Sequence, residues 1–290
     1  MRIYTYFFAV IIALSFQTMN AQTFGVKAGL NYSKFLGPTE TGVNESYGFS
    51  NGFHFGLTYS YDFTDLFSIR TELFYIQNGS TYSYDGDSYY IIRQSDKTTF
   101  EQGQLTFYEL NISNAYLSIP IVANYRLSNR WEVFGGAYMN LSIGPTARGQ
   151  MRFVSNDHPD EIRFIQSLDF RYGNDNIDEI TGRSLGNLED IGVLVDGEIV
   201  ILPKFAGAYT QQGEKTATKI NTLDYGLTAG AHYFLNRGFF VGLTIDYGLP
   251  DLTNNNADIS LKELTPENNF IFSEDKDTHL GIKASFGFRF

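Results

Sequence analysis

The sequence predicts an all-β chain: a transmembrane antiparallel up-and-down β-barrel of eight strands with long extracellular loops. Three observations carry that expectation. Apolar and polar residues alternate with a period of two in segment after segment, the connections between those segments alternate short and long, and an apolar leader precedes them all.

Composition sets the outer limits. The chain has 290 residues, of which 43% are hydrophobic and 16% aromatic, so it can bury a core and is not a disordered polymer. Mean hydropathy is only -0.19, because much of the apolar content is Tyr and Phe interleaved with Gly and polar residues. That interleaving suits two-faced strands. Cys is absent, which excludes disulfides, thiolate metal sites, a catalytic thiol and an acylated lipoprotein cysteine. A net charge of -11 and a pI near 4.8 argue against a nucleic-acid partner, since no basic stripe is there to neutralise phosphates.

Residues 1–21 read as a secretory signal peptide. Arg2 supplies the positive start, Ile3 to Phe16 the apolar middle, and Ala21 the small residue before cleavage. The apolar stretch is shorter than the roughly 20 residues a spanning helix needs. The mature part, 22–290, is read as one outer-membrane barrel domain with both termini on the periplasmic side.

The strands follow in order. The first alternates Phe24, Val26, Ala28, Leu30 and Tyr32 against Gly25, Lys27, Gly29, Asn31 and Ser33. The second and third run from Phe53 to Phe63 and from Phe67 to Tyr75, with a turn at Thr64-Asp65 between them. The fourth runs from Ala115 to Leu127 and contains Pro120, which cannot donate to a ladder and is expected where pairing relaxes. The fifth runs from Trp131 to Ile143, the sixth from Leu223 to Leu235, the seventh from Phe239 to Tyr247, and the eighth from Leu280 to Phe290. Eight steps of about 3.3 Å, tilted near 40°, give about 20 Å of height, close to an apolar membrane band.

Between strands two and three, four and five, and six and seven only a few residues intervene, as in periplasmic turns. The other connections, 36–51, 84–104, 145–221 and 253–276, are long and read as extracellular loops. Residues 145–221 carry twelve acids and eight bases, and 253–276 five acids and two bases. Within the large loop, residues 193–201 read as a β-hairpin turning at Asp196-Gly197. Its insertion into the wall would raise the strand number to ten. Aromatics group at strand ends as interfacial girdles: Phe63, Phe67, Tyr125, Trp131, Tyr233 and Phe239 at the short turns, and Tyr32, Tyr75 and Tyr247 at the other end. A soluble β-sandwich is the competing fold.

The sequence from Phe24 to Ser33, the run Tyr116-Leu117-Ser118-Ile119-Pro120 with its strand to Tyr125, and the close from Gly281 to Phe290 resemble the small outer-membrane β-barrels that include PorT-like proteins. The resemblance implies residence in the outer membrane and recognition by the barrel assembly machinery through the last strand, with its Phe286, Phe288 and terminal Phe290. It also implies, as an alternative role, an accessory part of a secretion or uptake machine. The family has no shared reaction, and the 145–221 loop is long for such a barrel.

Function is read as structural or as loop-mediated binding of an envelope protein or an extracellular ligand, with outer-membrane lipid as the constant partner. Eight strands enclose a space that side chains fill, so passive diffusion of solutes is not expected. Lys27, Arg70, Glu72, Asp246, Lys283 and Arg289 are expected to form a packed network there. No enzyme, cofactor or metal site is assigned. His54 and His232 face inward, and a pairing with Asp62 or Asp224 is conceivable, but a satisfied structural histidine is the commoner case. Asn174-Asp175-Asn176-Ile177-Asp178-Glu179 alternates oxygen ligands but lacks the glycine and distal Glu of a calcium loop.

Overall fold

The computed structural model describes residues 22–94, 96–175, 191–212, 215 and 217–290. Residues 1–21, assigned to the signal peptide, and most of the acidic 174–179 segment lie outside the described residues.

The elements in chain order are β1 (Gln22–Leu36), β2 (Asn44–Asp62), β3 (Phe67–Arg93), β4 (Thr98–Arg126), β5 (Trp131–Ser155), β6 (Arg163–Arg171), β7 (Ile191–Val195), β8 (Glu198–Leu202), β9 (Phe205–Ala206), β10 (Leu223–Phe234), β11 (Phe239–Gly248), β12 (Ile259–Leu264), β13 (Phe270–Phe272) and β14 (Thr278–Arg289). Eight of them form a closed antiparallel ring in the order β1-β2-β3-β4-β5-β10-β11-β14 and back to β1. Each strand contains the segment expected from its alternation, trimmed by a residue at its turn in several cases. The short turns at 63–66, 127–130 and 235–238 lie at one end of the ring, together with the start of β1 and the end of β14. No helix among the described residues is long and apolar enough to cross a membrane.

Faces decide between ring and sandwich. Leu30, Leu57, Ile121, Leu227, Leu243 and Phe286 point outward and are 55–71% exposed. Their polar neighbours Lys27, Asn31, Arg70, Glu72, Glu132, Asp246 and Lys283 are buried inside. A soluble sandwich would have the reverse arrangement, whereas a membrane supplies apolar solvent to the outer face. Glycine on the inner faces makes room for the rings of neighbouring strands. A Cβ at Gly29 would strike the His54 ring and the Ala284 carbonyl, and one at Gly242 would strike His232. Opposite Pro120 and Ile119 the β3–β4 ladder has no paired residue, although it is continuous on both sides, and Pro120 keeps its β5 partner Tyr138. Pairing therefore relaxes where the proline's missing donor requires it.

The regions 84–104 and 145–221 are not the plain loops that the sequence was expected to make. β3 and β4 have 27 and 29 residues, and at about 3.3 Å each these exceed a band of about 25 Å more than twice over. They continue past the apolar belt as a tall hairpin, joined by the upper part of β5 and by β6. β9 runs parallel to β6, while β7–β8 and β12–β13 are separate two-stranded sheets. The β7–β8 hairpin does turn at Asp196-Gly197, whose φ values of 53° and 82° are those an Asp-Gly turn supplies. It stays out of the ring, which has eight strands and not ten.

Along the wall the chemistry inverts. In the lower part of β5, Trp131, Met139, Leu141 and Ile143 face out and Glu132 and Asn140 face in; in its upper part Arg148 and Arg152 face out and Ala147, Met151 and Phe153 face in. Irregular register between Ser142 and Gly144 shifts the inner face from even to odd positions there. In β4 the same shift occurs at Tyr108–Asn111, where Glu109 takes a φ of 50°. The main hydrophobic core thus lies in the upper storey, above a polar lower storey.

Candidate functional site: a sealed lumen beneath an acidic aromatic cup

The lower lumen is closed by a chain of ion pairs. Lys27 Nζ donates to both oxygens of Glu72 at 2.8 and 2.9 Å, and Arg70 Nε donates to Glu72 at 2.8 Å. Arg70 also donates to Glu132 at 3.0 Å, and Arg289 reaches the same carboxylate at 3.0 Å from β14. Lys283 and Asp246 form a separate pair at 2.5 Å, and Thr228 donates to Asp246 at 2.7 Å. All six residues expected in the lumen network are there, with Glu132 as the hub that joins Arg70 to Arg289. Arg70 is only 2% exposed, and its guanidinium lies 4.6 Å from the centre of the Phe134 ring. Counting Lys27, Arg70, Lys283 and Arg289 against Glu72, Glu132, Asp224 and Asp246, the lumen holds four positive and four negative side chains. Seven of these eight pair with an opposite charge, which is what lets them be buried, while Asp224 is held by Asn140 and His279.

The histidines find other partners than those conceived from the sequence. His54 lies 2.6 Å from Asn31 Oδ1 through Nδ1 and 2.9 Å from the Ser285 hydroxyl through Nε2. The Asn31 amide donates to the carbonyls of Phe53 and Gln77, so its oxygen faces the ring and Nδ1 carries the proton. This is a serine–histidine–asparagine order, yet all three residues are at least nine-tenths buried between the walls. His232 lies between Arg70 and Glu132, and Asp224 pairs with His279 at 3.3 Å, not with His232. Residues 23 and 231 positions apart come together at His54, and sequence spacing carries no signal of that.

Above the lumen, the upper storey encloses a cavity of about 180 Å³. Phe35, Tyr47, Tyr82, Leu110, Met151 and Leu168 make much of its wall. One side is acidic. Glu40, Glu45, Asp258, Asp275 and Asp277 line the space, and Lys219 is the one base among the lining residues. Glu40 and Glu45 are committed to the wall: Glu40 accepts from the backbone N–H of Leu261 at 2.8 Å, and Glu45 accepts from the Tyr82 hydroxyl at 2.7 Å. Asp258, Asp275 and Asp277 each bring a carboxylate oxygen within 4.8 Å of the others. Burial pushes the Asp277 carboxyl up to about 7 and Asp258 up to about 6, and the neighbouring carboxylates add to both shifts. Burial lowers the Lys219 ammonium. The Tyr47 and Tyr82 hydroxyls are raised far above the ordinary range by burial and by Glu45 among other acids. None of these acids stood out in the sequence, where 253–276 read as a solvated loop. The β12–β13 hairpin folds Asp258 back against the approach to β14.

Residues 17–254 match the family model described as the outer membrane protein beta-barrel domain. No curated protein matches the chain. Among solved structures it is similar to Ail, the attachment invasion locus protein of Yersinia pestis, at 11% identity and a TM-score of 0.34, covering 94% of this chain and 100% of that one. It is also similar to Neisserial surface protein A, at 10% identity and a TM-score of 0.38, covering 92% of this chain and 97% of the other. A third is the outer membrane protein OprG from Pseudomonas aeruginosa, at 12% identity and a TM-score of 0.35, covering 93% and 96% of the two chains.

Proposed function

The chain belongs to the outer-membrane β-barrel family and is an outer-membrane protein, and from that premise we propose that it is a non-conducting barrel that presents a ligand-binding cup at the cell surface. The single observation behind this reading is the vertical order of the interior: an aromatic cavity above a lumen filled with paired charges. Eight strands leave only enough interior for side chains. Here Arg70, Glu72 and Glu132 occupy it at 1–5% exposure. A solute entering the cup therefore meets a closed floor, which suits retention over transit. On this reading the termini and short turns are periplasmic, the upper storey is extracellular, and the protein has no enzymatic activity. The last strand, ending at Phe290, would be read by the barrel assembly machinery. A PorT-like accessory role remains the alternative, and a stoichiometric envelope partner in gentle detergent extracts would favour it.

The test has two parts. Purified protein in planar bilayers is expected to give no steady openings; large stable conductance would overturn the closed floor. Protein in lipid nanodiscs is expected to show saturation transfer to a neutral aromatic such as 2-phenylethanol, above an empty-nanodisc control. Replacing Ala206, a buried residue lining the cavity, with Trp should abolish that signal. No transfer to the wild-type protein would remove the cup from the proposal.

A further inference from the structure

Resting on that reading of the cup, we propose that its ligand is an amphiphilic organic cation, an ammonium group carried on an aromatic or alkyl body. The cavity offers two unlike surfaces to one molecule. Its rings and aliphatic side chains accept an apolar body, and its volume of about 180 Å³ has room for a single ring, as an apolar cavity of about 150 Å³ takes benzene. Its acidic side faces the same space with charge that the protein does not neutralise.

Five acids and one lysine line the cavity. Glu40 and Glu45 are held by wall hydrogen bonds, which leaves Asp258, Asp275 and Asp277. None of these three forms an ion pair among the described residues. Lys219 lines the space but comes within ion-pair distance of none of them. Asp277 is 2% exposed, and its Oδ1 has no hydrogen-bond partner; the Oδ1 of Asp275 and of the adjacent Asn255 are also buried without one. The other Asp277 oxygen accepts only from the Thr253 hydroxyl, at 3.2 Å. Buried acceptors without donors are costly, and carboxylates in an apolar setting more so. A cation in the cavity compensates this charge across the short distance without having to reach the buried Oδ1 atoms, and Asp251, close behind at the Asp277 amide, adds to the negative field. The raised Asp277 and Asp258 carboxyls are in accord with a site that lacks its countercharge.

An organic cation fits better than a bare metal ion. Calcium takes six to eight oxygens at about 2.3–2.6 Å. Thr253, Ser273 and Gln211 add oxygens around the carboxylates, but most of the wall is Tyr, Phe, Leu, Ile and Met, which a bare ion leaves uncovered and the body of an organic cation fills. Tyr47 and Tyr82, with ring centres 5.2 Å apart, offer faces to an ammonium-bearing molecule.

Three probes that share one body separate the outcomes: 2-phenylethylammonium, 2-phenylethanol and 3-phenylpropionate, titrated at pH 7.5 against the protein in zwitterionic nanodiscs. The ammonium is expected to bind at least tenfold more tightly than the alcohol, and the carboxylate not at all. D258N/D277N should bring the ammonium down to the affinity of the alcohol while leaving alcohol binding unchanged. Lys219→Met should tighten ammonium binding, an opposite effect that no loss of folding would produce. Equal binding of ammonium and alcohol would overturn the cation assignment and leave the cup standing, as would preference for the carboxylate. Binding of none of the probes would overturn the cup itself. Calcium that binds at micromolar concentration and excludes the ammonium would assign the carboxylates to a metal and overturn the proposal.

Discussion

Glu72→Gln should destabilise the protein much more than Arg70→Met, although Arg70 is the larger buried side chain and makes as many ion pairs. The reason lies in what each leaves behind. Without Arg70, Glu72 keeps Lys27 at 2.8 Å and Glu132 keeps Arg289 at 3.0 Å, so each remaining charge retains a partner. Without the Glu72 charge, Arg70 keeps Glu132, but Lys27 loses the only carboxylate to which it is bonded. Lys27 is 3% exposed, and it keeps only a neutral amide oxygen and the Phe74 ring, 4.6 Å from its nitrogen, in place of the carboxylate. Stranding a buried charge costs about 3–5 kcal/mol, whereas trimming a network that stays paired costs about 1–2 kcal/mol. Removing both partners, as in Lys27→Met with Glu72→Leu, should restore most of the loss, a coupling of about 2 kcal/mol or more. Trp131 is the sole tryptophan and sits at the short-turn end, so urea unfolding in detergent micelles can be followed by its emission and by the heat-dependent gel shift. If Glu72→Gln and Arg70→Met lose equal stability, or Lys27→Met with Glu72→Leu falls by the sum of its own two component variants, the pairing argument is wrong.

Four further outcomes follow from the same geometry. Leu57→Arg, at an outward position 61% exposed, should cost about 2–4 kcal/mol in a bilayer if that face meets lipid, and almost nothing if it meets water. Gly197→Val, where φ is 82°, should loosen the β7–β8 hairpin, seen as faster proteolysis there, while ring unfolding stays unchanged because the hairpin is a separate sheet. Asp258 and Asp277 have folded values raised above the usual carboxylate range, so the folded protein holds protons that the unfolded chain has released. Stability of the upper storey is therefore greatest at or below about pH 4 and falls as pH rises towards about 6 to 7. Hydrogen exchange of the Tyr89 and Tyr90 amides, corrected for intrinsic rate, should show less protection at pH 7.5 than at pH 5, and no change would refute it. Fluorophosphonate probes should leave Ser285 unlabelled in the folded protein, since it lies buried with His54 and Asn31; labelling abolished by Ser285→Ala would make the protein an enzyme.

The sequence showed clearly what a single strand can show. Alternation over residues 24–32, 131–143 and 280–290 marked the outward face, because in each of these strands a greasy side opposes a small or polar one. The lumen charges were legible for the same reason, as they sit on the opposite side of readable strands. Glu132 was visible as an inward acid, but its role as hub depends on Arg289, 157 positions away. The upper storey was illegible because its strands keep the period and reverse its sign. Arg148 and Arg152 face out where Met139 and Leu141 do lower down, and the irregular register at Ser142–Gly144 intervenes. Read through such a shift, a strand loses its alternation and passes for loop. The acids of the cup were illegible for a different reason: Asp258 and Asp277 are 19 positions apart and meet only when the β12–β13 hairpin folds back.

That reversal bears on where the membrane ends and on why the cup is rigid. A wall that is apolar outside and polar inside needs lipid around it, while one that is polar outside and apolar inside needs water around it and a core within. A single strand such as β5 satisfies both only if its apolar face changes sides at the boundary, and the shift near Ile143 performs that change. The lower storey then fixes the strands from below through a lumen of paired charges, and the upper storey fixes them from above through Phe153, Tyr90 and Phe164, whose rings pack with centres 4.8–5.8 Å apart. A cavity held between two such packed layers keeps its shape without a ligand. The charges on its wall are thus placed before binding, and the cost of keeping Asp258 and Asp277 apart from any cation falls on the folded protein alone. A ligand that supplies that cation meets walls already arranged for it, so selection by charge requires no rearrangement of the ring.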